Sequence, residues 1–516
     1  MPIMRMGGSA VLKRKRYVIE FTAVALLMLL GAAVRLWDLG AVPFGLNQDE
    51  ASAGYEAWAI LNYGIDRCGN AWPVLLESWG SGQNALYTYL AMPFISALGL
   101  NELSLRLPMA IFGVLTLAVF WRMARRCRGP AFGVCALFFL AVNPWHVMIS
   151  RWALESNLMP FWLLIGVWLL TEADERPWTA AVAGAAFAVS LYAYGTAFFF
   201  IPLYVLLMLP YLRKKSYRAP LLAGAAIFII MAFPITVCQA LNVLGLGRAK
   251  LFGLTLPALT ESRQASTSIL GGGGIGAAFD NFRSCLRIMW TQSDGLPFNF
   301  ASCGGLYYFF GLPLAALGLA VSLGQRRDFK EEAPVRNALF SGIVASFFID
   351  PNINRINMIW LPVIYASALG AFVILKRLKK WSVLPAAGML VCAALFINSY
   401  VSDMSKPGNE FYYPGLGEAI EYADALGTDS VYVTDRVNQP YIFVLFYTET
   451  PPDEFIRSVD YINPDGAFRY VRSFGRWRFG GAEDACGDCL ILHRSEVGDR
   501  IPEAYFGSYA VCIERY

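Results

Sequence analysis

The chain has 516 residues, of which 57% are hydrophobic and 16% are charged. An ordinary soluble domain carries about 25% charged residues, so this composition excludes a soluble cytosolic enzyme, a disordered scaffold and a nucleic-acid-binding protein. The charge is divided, because residues 401–516 carry 19 acidic and 10 basic residues, whereas residues 1–400 are net basic. This asymmetry predicts a membrane domain over residues 1–400 and a water-soluble, extracytoplasmic domain over residues 401–516.

Apolar runs of about 20 residues can cross a bilayer as helices, since its hydrocarbon core is about 30 Å thick. About eleven such runs follow one another along the chain. They begin near Tyr17, Ser104, Ala131, Leu158, Trp178, Ala197, Ala219, Gly305, Val335, Met358 and Ser382. Tyr87–Leu100 is apolar but only 14 residues long, which predicts an interfacial segment. The predicted fold is therefore an all-α polytopic membrane protein.

Basic residues orient these spans. Lys13–Arg16 precede the first span, which predicts a cytoplasmic N-terminus. Alternation then places the other basic clusters in the cytoplasm as well: Arg122–Arg128, Arg213–Lys215, Arg326–Arg327 and Lys376–Lys380. We therefore expect a multi-pass protein of the cell membrane with residues 401–516 outside. The stretch Gln239–Gly304, which includes four consecutive glycines, is predicted to be a long, flexible outside loop.

The C-terminal residues show the patterns of a small α/β domain. Short strands are predicted at Ser430–Thr434, Cys489–His493 and Tyr509–Ile513, and helices at Glu418–Leu426 and Asp453–Tyr461. An aromatic and arginine-rich stretch, Phe468–Phe479, either contacts a glycan or lipid head groups or is ordinary packing and surface charge.

Two cysteines of this domain, Cys486 and Cys489, have the spacing of a redox motif. Outside the cytoplasm they could form a local disulfide, or one of them could pair with Cys512. A zinc site would need more neighbouring ligands than His493 supplies. A structural role or free thiols is favoured over catalysis.

Adjacent carboxylates, Asp49 and Glu50, follow the first span directly. Ionisable groups at the bilayer edge are expensive to keep, which makes this pair a functional hypothesis. The alternative is a solvated helix start, with Asp49 as the cap and Glu50 in the first turn. Further polar residues fall in the first two outside loops: Gln83, Arg106, His146, Arg151 and Glu155.

At these residues the chain resembles the GT-C glycosyltransferases that use polyprenyl-phosphate sugars. Protein O-mannosyltransferases and the lipid A aminoarabinose transferase, a group similar to glycosyltransferase family 39, share its frame. That frame is the Asp49-Glu50 pair, an Arg-Leu-Pro at Arg106–Pro108, and a Pro-x(5)-Ser-Arg-x(3)-acid stretch over Pro144–Glu155. The resemblance covers about residues 15–235, with a weaker echo at Asn354–Pro362.

Two departures from the family pattern stand out. Where relatives often have Lys-Pro-Pro-Leu, this chain has Gln83-Asn84-Ala85-Leu86, so the phosphate-binding lysine is missing. Gln83 can donate a hydrogen bond to phosphate but cannot neutralise its charge. The second acid is Glu155, one methylene longer than the aspartate of many relatives.

The resemblance implies a GT-C membrane enzyme that moves a sugar from a polyprenyl-phosphate donor to an extracytoplasmic protein, lipid or cell-surface glycan. Asp49 is the expected base, and Glu50 and Glu155 are further catalytic candidates. Substrate-binding candidates are Gln83, Arg106, His146, Arg151 and Arg355, with Arg263 as an additional cation. No metal or other cofactor is predicted, although Asp49 with Glu155 could hold a divalent cation.

Two other functions fit a chain of this kind. A transporter or flippase for lipid-linked saccharides would need ionisable residues near the bilayer midplane and paired, broken helices. Charges here lie at span ends and no internal repeat is visible, which argues against transport. The second of these functions is that of a catalytically inactive relative with a binding role at the cell surface. The joint presence of Asp49, Glu50, Glu155, Arg106 and Arg151 argues against this interpretation.

Overall fold

A computed structural model describes residues 6–210, 215–261, 274–299, 301–405 and 410–514. Most of the described chain is helical. The helices of the N-terminal part are α1 (Met6–Leu36), α2 (Gln48–Tyr63), α3 (Leu86–Leu98), α4 (Glu102–Arg128), α5 (Pro130–Ala141), α6 (Pro144–Ile149), α7 (Met159–Glu172), α8 (Thr179–Ala193), α9 (Ala197–Met208), α10 (Lys215–Val243), α11 (Gly274–Thr291), α12 (Gly311–Gly324), α13 (Ala333–Ala345), α14 (Trp360–Leu378) and α15 (Val383–Met404).

The helices confirm a membrane protein, but they vary in length. Four segments of the described chain are long and apolar enough to cross a bilayer: Tyr17–Leu36, Glu102–Arg128, Ser216–Val243 and Asn357–Met404. Shorter apolar helices such as α5, α8, α9 and α12 have 12 to 15 residues. At 1.5 Å per residue they rise only about 18–22 Å, less than the hydrocarbon thickness. The count of eleven spans therefore stays a prediction.

One basic cluster predicted to be cytoplasmic, Arg122–Arg128, meets acidic partners from other segments at one end of the bundle. Arg125 of α4 pairs with Glu20 of α1 at 2.5 Å, and Arg128 pairs with Glu332 before α13 at 2.7 Å. Arg213 lies outside the described residues. Segments that are far apart in sequence thus share one end, as the alternation of spans requires. The orientation of that end stays a prediction.

Reporter fusions test this orientation. We expect alkaline phosphatase fused after Val401 to be active and the same enzyme fused at Lys214 to be inactive, because alkaline phosphatase folds productively only outside the cytoplasm. Enzyme activity is measured per amount of fusion protein. The opposite pattern would overturn both the orientation and the extracytoplasmic placement of Asp49.

The stretch predicted to be one flexible loop, Gln239–Gly304, contains regular structure, so that prediction is wrong in part. A two-stranded hairpin pairs β3 (Ala249–Leu251) with β4 (Leu254–Leu256), and α11 follows. Helix α11 was overlooked because its apolar residues lie on one face between charged ones, a pattern typical of interfacial helices rather than spans. Arg263 and the first three glycines of the glycine run lie outside the described residues.

The C-terminal residues form a seven-stranded mixed sheet, which supports the α/β prediction. The strands are β5 (Val431–Thr434), β6 (Asp460–Tyr461), β7 (Val471–Phe474), β8 (Trp477–Gly480), β9 (Cys489–His493), β10 (Pro502–Phe506) and β11 (Tyr509–Ile513), and the helices are α16 (Leu416–Ala425), α17 (Pro440–Tyr447) and α18 (Pro452–Ser458). The strand order is β10-β11-β9-β5-β8-β7-β6, with β5 parallel to both β8 and β9. Helix α17 and the β7–β8 hairpin were not predicted.

The aromatic stretch Phe468–Phe479 lies partly within the sheet and partly before it. Val471, Phe474 and Trp477 are buried in β7 and β8, so packing accounts for them. Phe468 and Tyr470, before β7, keep nearly half of their surface exposed.

All ten cysteines are free thiols in the structure. Cys489 lies opposite Ile513 in the β9–β11 ladder, whereas Cys512 lies opposite Leu490. Because successive side chains of a strand point to opposite faces, the two thiols lie on different faces of the sheet and cannot pair. This agrees with the interpretation of free thiols.

The C-terminal domain packs directly on α2 and on the start of α4. Helix α17 lies against α2, and the Tyr55 hydroxyl of α2 donates to the carbonyl of Thr450 at 2.7 Å. Tyr447 donates to the carboxylate of Glu102, at the start of α4, at 2.6 Å. The domain therefore contacts the same segment that carries the predicted catalytic acids.

Candidate active site

The start of α2 places Asp49 beside two side chains of the segment that follows. Asn47 caps the helix, since its side chain accepts from the backbone N–H of Asp49 at 3.0 Å and Glu50 accepts from the backbone N–H of Asn47 at 3.2 Å. The alternative with Asp49 as the cap is therefore wrong. The half-buried Asp49 carboxylate instead accepts a hydrogen bond from the indole N–H of Trp79 at 3.3 Å.

Gln83 is tied to the same helix start. Its amide N–H donates to the carbonyl of Asp49 at 3.3 Å, and its amide oxygen accepts from the hydroxyls of Ser52 and Ser78. The side chain is buried, and both ends of its amide group are engaged by the protein. Its predicted role in substrate binding stays a prediction, and these contacts favour a role in positioning Asp49.

Glu50 and Arg106 form a fully buried ion pair with 3.0 Å between Oε1 and Nε. Glu50 also accepts from the backbone N–H of Ala153, and Arg106 donates to the carbonyls of Pro43 and Gly45. The pair therefore links the first outside segment, α4 and the segment before Glu155. Removing one partner of such a pair leaves an uncompensated buried charge, which costs about 3–5 kcal/mol. These contacts favour a structural role in which the pair holds the three segments together. The predicted catalytic role of Glu50 and the predicted substrate-binding role of Arg106 stay predictions.

Arg151 and His146 contact the C-terminal end of α1. The Arg151 guanidinium donates to main-chain carbonyls at the end of α1 and just beyond it, including those of Trp37 and Val42. His146 lies with Nδ1 2.7 Å from Arg35. Burial, with a smaller contribution from the Arg35 charge, lowers the pKa of His146 well below its ordinary range. A neutral ring that accepts from Arg35 fits a structural role, and the predicted substrate contacts stay predictions.

Glu155 and Arg355 line one open cleft of about 620 Å³, a volume that includes the open solvent at its mouth. Glu155 begins a short 3₁₀ turn and accepts from the backbone N–H of Asn84. Arg355 pairs with the exposed carboxylate of Asp350 at 2.6 Å. Other polar residues of the lining are Ser81, Asn84, Tyr194, Thr196 and Gln239. The structure thus joins a carboxylate and a cation that are 200 residues apart in sequence.

The lining of this cleft comes from separate segments of the chain. Asn84, Glu155, Tyr194, Gln239 and Arg355 each lie at or beside a different predicted outside loop. Under the predicted alternation of spans, all five of these loops lie on the extracytoplasmic side. The cleft is therefore located where the predicted topology places the chemistry.

A two-residue strand, β2 (Gln83–Asn84), connects Asp49 with this cleft. It pairs with β1 (Leu75–Leu76), and its two residues contact the two acids: the Gln83 side chain binds the main chain of Asp49, and the Asn84 N–H binds Glu155. Across the described ranges, no group of three or more His, Cys, Asp and Glu side chains could hold a metal ion.

A second buried ion pair, Glu56 with Arg67, was not predicted. The distance between Arg67 Nη1 and Glu56 Oε1 is 2.7 Å, and both side chains are almost completely buried. Arg67 also donates to Ser52 and Ser78, the two hydroxyls that bind Gln83. The turn Asp66–Asn70 was a sequence signal that could have indicated this pair. In that turn the Asp66 carboxylate accepts hydrogen bonds from two backbone N–H groups, and Arg67 is thereby directed toward α2.

Burial raises the pKa of Glu56 to about 7; Arg67 opposes this effect without cancelling it, and the Asp66 carboxylate reinforces it. A carboxyl group with a higher pKa in the folded than in the unfolded state lowers stability as it ionises. The contribution of Glu56 therefore falls as the pH rises from about 4.5 to about 7, and is constant above.

We expect the melting temperature of Glu56→Gln to rise relative to that of the wild type between pH 5 and pH 8, because glutamine resembles the protonated acid and does not ionise. Glutamine leaves the buried Arg67 without a charged partner, so the comparison concerns the pH dependence and not the absolute melting temperature. Thermal unfolding of the purified proteins in detergent measures this difference. Glu454→Gln, at an exposed position of α18, is the matched control and should show no such pH dependence. A difference in melting temperature between Glu56→Gln and the wild type that stays the same from pH 5 to pH 8 would contradict the argument.

The comparisons with known proteins define the class of fold. The crystal structure of ArnT from Cupriavidus metallidurans bound to undecaprenyl phosphate matches with a TM-score of 0.55 and 12% identity, over 95% of this chain and 97% of that chain. The crystal structure of the oligosaccharyltransferase of Archaeoglobus fulgidus in complex with Zn and sulfate matches with a TM-score of 0.53 and 11% identity. The fold is that of the GT-C glycosyltransferases, which confirms the resemblance.

A family match accompanies this fold. Residues 84–237 match the family model of dolichyl-phosphate-mannose-protein mannosyltransferases. The matched range begins at β2 and includes Arg106, Arg151 and Glu155. No curated protein sequence matches the chain.

The archaeal oligosaccharyltransferase is longer than this protein. The match with its Zn and sulfate complex covers 82% of this chain and 61% of that chain. The same enzyme tethered with an acceptor peptide containing the NVT sequon matches with a TM-score of 0.51 and 12% identity, over 83% and 63%. This chain therefore spans about three fifths of the length of that relative.

Proposed function

We propose that the protein is an integral membrane glycosyltransferase that moves a hexose or pentose from a polyprenyl-phosphate donor to an extracytoplasmic acceptor. The observation that carries this proposal is the cleft that joins Glu155 and Arg355 and lies beside the Asp49 segment. The presence of undecaprenyl phosphate in the ArnT structure supports a lipid-linked donor. The acceptor peptide tethered to the archaeal oligosaccharyltransferase supports a separate acceptor molecule in general.

The proposed reaction needs a base and a cation at separate positions. The acceptor oxygen forms a bond to the anomeric carbon, the bond from that carbon to the phosphate oxygen breaks, and its electron pair leaves with the phosphate. Asp49 takes the proton of the acceptor hydroxyl, since an ionised carboxylate is a suitable general base. Arg355 neutralises the charge that develops on the departing phosphate, because arginine can bind two phosphate oxygens at once.

The donor lipid is a co-substrate in this proposal, and no metal step is included. Arg355 supplies the positive charge that a divalent cation would otherwise provide at the leaving group. The finer membrane arrangement, with eleven spans, a cytoplasmic N-terminus and an extracytoplasmic C-terminal domain, belongs to the same proposal. The alternation of spans is supported by the five predicted outside loops that meet in the one cleft.

Mass spectrometry of cell-surface lipids, glycans and proteins tests the function. Cells without the protein should lack one sugar modification, and expression of the wild-type chain should restore it. Purified protein in liposomes should then transfer that sugar from a polyprenyl-phosphate donor. Restoration by the chain without any transfer in the purified system would instead favour a lipid-linked saccharide transporter.

A further inference from the structure

Trp79 links the C-terminal domain with the candidate base, Asp49. Trp79 is 2% exposed and lies in the segment between α2 and β2. Its indole N–H donates to Oδ1 of Asp49 at 3.3 Å. A hydrogen bond of this kind favours the ionised form of a carboxylate and fixes its direction.

Two residues of the C-terminal domain hold Trp79 in place. The Tyr441 ring, from α17, meets the indole edge-to-face with 6.1 Å between ring centroids and an interplanar angle of 87°. The backbone N–H of Arg469 donates to the Trp79 carbonyl at 2.8 Å, and its guanidinium pairs with Glu77 at 2.7 Å. Edge-to-face aromatic pairs restrict ring rotation and favour one orientation.

The backbone next to Trp79 is also fixed by this domain. Gly80 pairs with Phe468 in an isolated antiparallel bridge. Gly80 has a φ of +110°, and a Cβ there would lie 2.8 Å from the carbonyl oxygen of Gly466. A side chain at this position would therefore push the two segments apart, and only glycine permits the approach.

Arg67 completes the surroundings of the indole. Its guanidinium carbon lies 4.8 Å from the centroid of the Trp79 ring and 5.8 Å from that of Tyr441. The ion pair with Glu56 holds the guanidinium there. The indole is thus held by a cation from the outside segment and by an aromatic ring from the C-terminal domain.

We propose that the C-terminal domain positions the catalytic base of the transfer reaction through Trp79, so that Asp49 is held ionised and in a fixed direction. The domain is then a working part of the transferase site. Trp79 is a positioning residue, and Tyr441 and Arg469 act through it. This inference rests on the proposed glycosyltransferase function.

Trp79→Phe removes the N–H donor and keeps an aromatic ring. Because the ionised base loses a hydrogen bond, we expect the acidic limb of the pH profile of kcat/KM to move up by about one pH unit. At pH values above that limb, the loss of kcat/KM should be smaller than below it, because Asp49 is then ionised and only its fixed direction is lost. Tyr441→Leu should move the limb in the same direction, and the double variant should move it no further than Trp79→Phe alone.

Trp72→Phe is the matched control, since Trp72 lies in the same segment but is 46% exposed and stacks on Tyr89. Its pH profile should equal that of the wild type. All profiles are measured with full-length protein at matched amounts. An unshifted limb in Trp79→Phe, or an equal loss of activity at every pH, would overturn the inference while leaving the transferase function intact. Absence of sugar transfer by the wild-type protein would end both.

Discussion

Replacing Asp49 by asparagine should lower the rate of sugar transfer by about 10²–10⁴-fold, the usual effect of losing a positioned base. Asparagine keeps the size of the side chain and can still accept the hydrogen bond from Trp79, but it cannot take the acceptor proton. Asp49 is half-buried and is not the cap of α2, so the substitution should leave the helix start intact. Turnover per molecule in a reconstituted assay measures the effect.

Asp453→Asn provides the matched control, because it removes one exposed carboxylate from the same predicted side of the membrane. We expect wild-type turnover from this control and wild-type amounts of both variants. Near-normal turnover of Asp49→Asn would remove Asp49 from the role of base. The contacts of Glu50 with Arg106 and Ala153 occupy its oxygens, so Glu155 in the cleft would then be the stronger candidate.

The class of fold and several elements could be predicted from the sequence because their signals are local. Long apolar runs mark helices in a membrane, and short continuous apolar runs mark buried strands, as in β5, β9 and β11. The capping of α2 shows the limit of such reasoning. Asn47 and Asp49 are both good cap residues, and only the path of the preceding chain decides between them.

The contacts that the arginine side chains make could not be predicted from the sequence. The sequence places Arg106, Arg151 and Arg355 outside the bilayer, where each could bind phosphate. Whether a guanidinium faces a cleft or the protein's own carbonyls depends on tertiary packing. Arg106 and Arg151 are buried against main-chain oxygens, and Arg355 is the one of the three that lines the cleft.

Contacts between segments that are distant in sequence could not be predicted either. Glu56 lies among alanines and aromatic residues of α2, a context that gives no sign of a buried cation 11 residues later. Trp79 and Tyr441 are separated by more than 360 residues, and each alone looks like an ordinary core aromatic. Sequence periodicity reports the face on which a residue lies, but not its partner across the core.

The second large effect on sugar transfer is expected for substitutions of Arg355. We expect Arg355→Ala to reduce the use of a polyprenyl-phosphate sugar by about 10²-fold or more, since preorganised charge at a leaving group is a large contribution to catalysis. Arg355→Lys should restore only part of the activity, because an ammonium lacks the planar fork of the guanidinium. Donor dependence is measured at matched amounts of protein, with the exposed Arg248→Ala as the control.

Variants of the ion pair between Arg355 and Asp350 distinguish two roles of Arg355, phosphate binding and structural anchoring. Asp350 is 66% exposed, and a pair this open contributes about 0–1 kcal/mol, so a phosphate can replace Asp350 as the partner of Arg355 at little cost. If Arg355 binds phosphate, Asp350→Asn should transfer at least as fast as the wild type, because the cation is then freed for the donor. If Arg355 merely anchors the segment before α14, lysine should substitute fully, and Asp350→Asn and Arg355→Ala should both lower the amount of protein rather than turnover per molecule. Full activity in Arg355→Ala would end the role of Arg355 at the phosphate.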